Sequence, residues 1–75
     1  MSILAAALPK PLFIIHEDMK DGYTAKCPPY SIYTQGDTWD ELIANIKEAI
    51  LCHFDDGSIP ASFLLHTVRR EEMAL

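Results

Sequence analysis

Eleven Asp and Glu residues are the most abundant side chains in this sequence that could carry chemistry. Two carboxylates act as a general acid and base, and several hold a divalent cation, when the fold brings them to one point. The acidic pairs here are sequence neighbours, which point to opposite faces of a strand or lie about 100° apart on a helix. We therefore expect solvated turns and caps, with no catalytic pair and no metal site. The pairs are Glu17-Asp18, Asp40-Glu41, Asp55-Asp56 and Glu71-Glu72.

The three histidines and two cysteines show no spacing that is typical of a metal site or a redox pair. Neither HExxH nor CxxC occurs. His53 falls on the apolar side of a predicted helix, where we expect a half-buried, hydrogen-bonded side chain rather than a ligand. Cys52 lies in the last turn of that helix, where the helix dipole disfavours a thiolate. These residues therefore predict no catalytic group, no metal and no cofactor.

Length and composition exclude several classes of protein. A chain of 75 residues forms one domain with a marginal core, and 49% hydrophobic residues are too many for a disordered acidic tail. The apolar runs are far shorter than the roughly 20 residues of a membrane-spanning helix. No membrane partner is therefore expected, and a net charge of −5 disfavours direct binding of nucleic acid and favours a basic protein partner. Because no basic segment opens the chain, we expect a cytoplasmic protein with reduced thiols.

Glycine and proline divide the chain into segments that read as strands. A continuous apolar run predicts a central first strand with both faces at least partly covered. Asp21-Gly22 predicts a hairpin turn after it, because such turns need a positive φ. Alternating, β-branched and aromatic residues predict the other strands. The predicted strands cover 11–17, 23–27, 31–35 and 61–68.

One helix is predicted between the third and fourth strands. Thr38 and Glu41 have the spacing of a capping box. The apolar residues that follow recur on one side, as in an amphipathic helix, and Gly57 is placed as a left-handed C-terminal cap. The apolar stripe consists of Trp39, Leu42, Ile43, Ile46, Ile50 and Phe54.

The element order β-β-β-α-β predicts an α+β fold, with an antiparallel, hairpin-based sheet and one helix packed on one of its faces. The predicted domain covers 11–69, between an N-terminal extension at 1–10 and a C-terminal tail at 70–75. One helix covers only one face of a sheet. The other face must meet the N-terminal segment, solvent or another subunit, and for so small a chain we favour another subunit.

An acidic ridge is predicted along the outer side of the helix. Glu41, Glu48 and Asp55 lie seven residues apart and therefore stack on one side. Two interpretations remain open: an ordinary solvated helix face, or a surface that binds a basic protein. Under the second interpretation these carboxylates, together with Tyr33 of the third strand, are the partner-binding residues.

Several segments resemble the HicB-like antitoxin family. Gly22–Ala25 and Cys27-Pro28 resemble its hairpin, and Thr34-Gln35-Gly36-Asp37-Thr38 with Asn45–Ile50 resembles its turn and helix. The resemblance covers about residues 11–57, and the turn and helix are the part that is specific to this family. It implies a partial ribonuclease-H-like fold, with strand order 3-2-1-4 and the helix on one side.

The resemblance also implies a function. HicB-like proteins bind and occlude a small basic mRNA-cleaving toxin of the HicA type, commonly as dimers or tetramers. Many carry an added DNA-binding domain, and this chain resembles a short form without it. The ribonuclease-H carboxylates are not matched in position, so no nuclease activity is implied. The alternative is an orphan structural or regulatory homo-oligomer with no toxin partner, and an enzyme is disfavoured because fold alone does not carry function.

Overall fold

The computed structural model describes residues 10–18, 20, 22–69 and 72–75, in which one helix packs on one four-stranded sheet. The strand order is β3-β2-β1-β4. β1 pairs antiparallel with β2 and parallel with β4, and β2 pairs antiparallel with β3. The predicted α+β class, element order and strand order are confirmed. The elements are β1 (Leu12–Asp18), β2 (Gly22–Cys27), β3 (Ile32–Gly36), α1 (Trp39–His53) and β4 (Leu64–Arg69).

β1 is the central strand, as predicted, but its two faces differ. Phe13 and Ile15 point towards α1 and are fully buried. On the opposite face Ile14 is half-buried, whereas Leu12 and His16 are exposed. The prediction that both faces are covered is therefore wrong for Leu12 and His16, because α1 packs against only one side of the sheet.

Three predicted elements lie partly outside the described residues. Of the predicted N-terminal extension, only Lys10 is described, and Asp21 of the predicted hairpin turn is not described. Gly22, which ends that turn, has a φ of +80°. Of the predicted tail, 72–75 are exposed and lack regular structure.

The core lies between α1 and the face of the sheet that carries Phe13. It is purely apolar among the described residues, and the helix contributes three buried side chains spaced one turn apart. Trp39 of the predicted stripe stays 39% exposed, where its ring meets Tyr23 edge-on at a centroid distance of 5.5 Å. The buried residues are Phe13, Ile15, Ala25, Cys27, Ile32, Leu42, Ile46 and Ile50.

The N-terminus of α1 is capped by the two predicted residues, although the Glu41 carboxylate binds the N–H of Asp37 rather than that of Thr38. The Thr38 hydroxyl oxygen accepts a hydrogen bond from the Glu41 N–H at 3.1 Å. The Glu41 carboxylate in turn accepts one from the Asp37 N–H at 3.0 Å. The first bond satisfies a donor that the first helical turn leaves without an intrahelical partner, and the second ties the residue before the cap to the helix.

The C-terminus of α1 differs from the prediction at Gly57. The helix ends at His53, and its cap residue Phe54 is extended rather than left-handed. Phe54 packs against the core and meets the Tyr30 ring at 5.1 Å, so the chain leaves the helix there. Gly57 lies in a short 3-10 turn, and its predicted role as the cap is wrong.

β4 begins at Leu64, three residues later than predicted. Because α1 lies over β3 and β2 and ends beside Tyr30, whereas β4 is at the opposite edge of the sheet, residues 59–63 have to cross sideways to reach the start of β4. The Leu64 N–H then donates to the Pro11 carbonyl at 2.8 Å, and the parallel ladder follows. The crossing segment is irregular, and Ile59 and Phe63 pack against the core.

Gly36 allows β3 and the first turn of α1 to approach closely. A Cβ atom at this position would lie 2.5 Å from the Leu42 backbone nitrogen and 2.8 Å from its Cα. One turn further along the helix, the Asn45 side-chain amide donates to the Gln35 carbonyl at 2.7 Å. These contacts fix the angle at which α1 lies on the sheet.

Candidate functional site

The predicted partner-binding residues lie on opposite sides of the sheet. Glu41 and Glu48 are exposed on α1. Tyr33 alternates with Ile32 and Thr34 in β3, points away from α1 and is 57% exposed. A single flat partner surface therefore cannot contact Tyr33 and these two carboxylates together.

The acidic ridge on α1 is shorter than predicted. Glu41 and Glu48 are two helical turns apart on the outer side of α1, but the Glu41 carboxylate is engaged in the helix cap. Asp55 lies two residues beyond the end of the helix, so its predicted place in a continuous helical stripe is wrong. It is exposed, and its backbone carbonyl accepts hydrogen bonds from the Ser58 N–H and hydroxyl group at 2.8 and 3.1 Å.

An apolar groove of about 290 Å³ runs beside the outer side of α1. Its walls are the second half of the helix and the crossing segment 59–63, and Leu51 on its helix wall is 60% exposed. Lys47 is the charged residue that lines this groove, and Glu48, which is exposed and not part of the lining, lies one turn from Leu51 on the outer side of α1. The groove can hold an apolar side chain of a partner protein. The lining residues are Lys47, Ile50, Leu51, Ile59, Pro60, Ala61, Ser62 and Phe63.

Strand alternation in the sequence does not reveal this groove. Residues 61–63 were expected in the fourth strand, whereas they belong to an irregular segment that stands beside the helix. Pro60, which cannot donate a backbone hydrogen bond to a sheet, is the local signal that marks this segment.

We use the name open face for the side of the sheet that faces away from α1. On it Ile14 lies between Lys26 and His66, His16 lies between Thr24 and Val68, and Leu12 lies beside Leu64. Tyr33 and Gln35 of β3 complete it beyond Lys26 and Thr24. The four largest exposed apolar side chains on it are Leu12 (46%), Tyr33 (57%), Leu64 (49%) and Val68 (38%).

The described residues include all three histidines and both cysteines. They contain no group of three His, Cys, Asp or Glu side chains that could share a metal ion. His53 is exposed, so the half-buried position predicted for it is wrong. Because the helix ends there, its ring lies at the rim of the core, edge-on to Tyr30 at 5.8 Å and to Phe54 at 4.9 Å. In the part of the chain that is described, no helix combines the length and hydropathy needed to cross a membrane.

The two cysteine thiols differ in exposure, and we expect them to differ in reactivity. Cys27 is buried, and this burial raises the pKa of its thiol although backbone hydrogen bonds at Tyr30 and Leu12 act in the opposite direction. Cys52 is exposed on α1. Because the thiolate is the reactive form, Ellman's reagent at pH 8 should titrate one thiol per folded chain and two in 8 M urea.

A Cys52→Ser variant serves as the control for this titration. It should show no rapid reaction when folded and one thiol when unfolded. Rapid reaction of the folded Cys52→Ser protein would mean that Cys27 is accessible, which contradicts its placement in the core.

Comparisons with known proteins point to one family. A protein from Thermotoga maritima, named UPF0150 protein, is 53% identical over 47 residues, which cover 63% of this chain and 67% of that protein. A protein of the same name from Archaeoglobus fulgidus is 41% identical over 49 residues, which cover 65% of this chain and 73% of that protein. No family model and no solved structure matches the chain. The identity to these two relatives, over two thirds or more of their length, shows that the chain belongs to the UPF0150 family.

Proposed function

We propose that this chain is an antitoxin-like protein, which binds a small basic ribonuclease of the HicA type and neutralises it by covering its active site. The observation that carries this proposal is the apolar groove at Leu51, which lies one helical turn from the exposed carboxylate of Glu48. The resemblance of Thr34–Thr38 and the helix to HicB-like antitoxins supports it.

The chemistry of the partner explains why an acidic surface would inhibit it. A ribonuclease that cleaves mRNA holds phosphate groups with Lys and Arg side chains. A protein with a net charge of −5 attracts the same cations, and the complementary charge speeds encounter. Exposed ion pairs add little affinity, so an apolar side chain in the groove would supply most of the binding energy.

Inhibition of RNA cleavage tests the proposal directly. A HicA-type ribonuclease from the source organism is mixed with increasing amounts of this protein, and the cleavage of an mRNA is followed on a gel. Cleavage should stop near an equimolar ratio, and the Kd from calorimetry should rise with salt. Complete cleavage at a tenfold excess of this protein would contradict the proposal.

A charge reversal at Glu48 tests the proposed surface. Glu48→Lys should raise the Kd for the toxin at least tenfold, about 1.4 kcal/mol, because it replaces a carboxylate by a second cation next to Lys47 on a surface that receives a basic partner. Glu48 and Asp55 suit this test better than Glu41, whose carboxylate caps the helix. The double variant Glu48→Lys/Asp55→Lys should bind more weakly still.

Glu72→Lys is the matched control, because it changes the net charge equally at an exposed position away from α1. It should raise the Kd less than threefold. Equal losses from Glu48→Lys and Glu72→Lys would mean that only the overall charge matters, and the surface on α1 would then be rejected. Circular dichroism of each variant checks that the helix is intact.

A second candidate function is an orphan homo-oligomer with no toxin partner. The open face favours it, because a sheet face with four exposed apolar side chains needs a covering partner. Failure to inhibit any HicA-type ribonuclease, together with self-association in solution, would support this second candidate over the first.

A further inference from the structure

We propose that the apolar groove beside α1 binds a small apolar monocarboxylate of the fatty-acid type, with its hydrocarbon tail in the groove and its carboxylate on the ammonium group of Lys47. The proposal does not rest on toxin binding, since it is argued from this chain and tested on this chain alone. A ligand in the groove would compete with the apolar side chain that the proposed toxin inserts there.

Lys47 is the charged side chain on the walls of the groove, and its own helix gives it no counter-charge. Side chains on a helix meet their neighbours three and four residues away. Glu48 follows Lys47 directly and projects about 100° away from it. No salt bridge to Lys47 occurs within the described part of the chain. The helical neighbours of Lys47 are all apolar: Ile43, Ala44, Ile50 and Leu51.

The opposite wall, the crossing segment 59–63, also brings no carboxylate to the groove. It is apolar except for Ser62, which is exposed. The Ser62 hydroxyl group makes no hydrogen bond to any described residue, and a hydroxyl group can donate to a carboxylate. The groove therefore combines apolar walls with one unpaired cation and one free hydroxyl donor.

The size of the groove suits the tail of a small molecule. Its volume of about 290 Å³ is at the lower end of the range for small-molecule sites. At about 30 Å³ each, the volume of a water molecule in the liquid, it holds roughly ten groups of methylene size. A single hydrocarbon tail of that length fits such a space better than a peptide segment of several residues.

The charge of the groove selects a ligand with one negative charge. A neutral apolar ligand that covers Lys47 would take water from the ammonium group without replacing its hydrogen bonds, which is costly. A carboxylate supplies a charge-assisted hydrogen bond instead, whereas a cationic ligand meets like charge. A ligand with several negative charges would be repelled by Glu48, one turn from Leu51, and by the net charge of −5.

Titration of the full chain with decanoate tests the proposal. Decanoate is added up to 2 mM, and the amide signals of ¹⁵N-labelled protein are followed by NMR. We expect a Kd on the order of 100 µM, with the largest shift changes at Leu51 and at 61–63. Decyltrimethylammonium, which carries the same tail on a cation, should bind at least tenfold more weakly.

Substitutions at Lys47 test the role of its charge. Lys47→Met removes the charge but keeps a long unbranched side chain, and it should raise the Kd for decanoate at least fivefold. Lys26→Met is the matched control, because it changes the net charge equally at an exposed position on the open face; it should change the Kd less than twofold. Lys47→Glu should reverse the preference, so that decyltrimethylammonium binds more tightly than decanoate. If Lys47→Met fails to fold by circular dichroism, Lys47→Gln replaces it with the same expected loss.

Four results would overturn the proposal. The first is the absence of shift changes up to 2 mM decanoate, and the second is an equal Kd for Lys47→Met and the wild type. The third is a set of shift changes centred on Leu12 and Tyr33 of the open face. The fourth is a nuclear Overhauser contact, in the protein without decanoate, between the Leu51 methyl groups and Ile3, Leu8 or a second, differently labelled copy, because the groove would then be filled by the chain itself.

Discussion

Replacing Gly36 with alanine should lower the free energy of unfolding by about 3 kcal/mol, the upper end of what overpacking a tight site costs. The new methyl group would lie 2.5 Å from the Leu42 nitrogen and 3.0 Å from the Glu41 carbonyl carbon. Both are backbone atoms of the first helical turn, which cannot rotate away as a side chain can. The helix would have to lift from β3, and this would strain the bond between Asn45 and the Gln35 carbonyl. Urea denaturation followed by circular dichroism measures the loss.

Gly57→Ala is the matched control for that substitution. A Cβ atom at Gly57 would meet nothing within 4 Å, and its φ is not positive. Alanine there should therefore be neutral, or stabilise the protein by up to about 1 kcal/mol by restricting the unfolded chain. A loss below 1 kcal/mol for Gly36→Ala, or equal losses for the two variants, would contradict the close approach of β3 and α1.

Replacing Phe13 with alanine should cost about 3–5 kcal/mol, which is comparable to the whole stability expected of a domain of this size. Phe13 is fully buried on the central strand, and its ring meets Phe63 edge-on at 6.1 Å. Its removal leaves a cavity beneath the crossing segment that α1 and the sheet can fill only partly. At 25 °C the variant should be largely unfolded, which the dispersion of amide signals in a proton NMR spectrum reveals.

Leu51→Ala is the control for the core substitution. It also truncates a large apolar side chain, but at a site that is 60% exposed, so the loss should stay below about 1 kcal/mol. If the Phe13→Ala variant folds and its free energy of unfolding falls no further than that of Leu51→Ala, Phe13 does not belong to the core.

The specific part of the resemblance has a structural explanation within this fold. In Thr34–Thr38, Gly36 permits the close approach of helix and strand, the Asp37 N–H binds the Glu41 carboxylate, and Thr38 caps the helix. This segment sets the junction of β3 and α1 rather than presenting groups to a partner. It is therefore a signature of the fold, and toxin binding has to be tested on other residues.

Local sequence was sufficient to predict the strands and the helix, but not how the chain connects the end of α1 to β4. The capping box, the helical stripe and the first three strands depend on residues close in sequence, and they were predicted to within a residue or two. The end of α1, the late start of β4 and the exposure of His53 depend on where Phe54 and residues 59–63 pack. That packing is a tertiary property, and apart from Pro60 no local pattern signals it.

The candidate site was predicted only in part for the same reason. The spacing of Glu41 and Glu48 placed both on one side of α1, but it could not show that the Glu41 carboxylate is engaged in the helix cap or that the helix ends before Asp55. The groove and the open face each combine residues from segments distant in sequence. They became visible only when the strand order and register were known.

The parallel pairing of β1 with β4 has a consequence for synthesis on the ribosome. Leu12 pairs with Leu64 and Glu17 with Arg69, so the central strand waits for partners made about 50 residues later. Until Arg69 has left the exit tunnel, one edge of β1 stays unpaired and Phe13 lacks the contact with Phe63. Long-range pairings of this kind fold slowly and expose apolar surface meanwhile. The nascent chain is thus most vulnerable to proteases and aggregation in the interval before β4 has emerged from the tunnel and paired with β1.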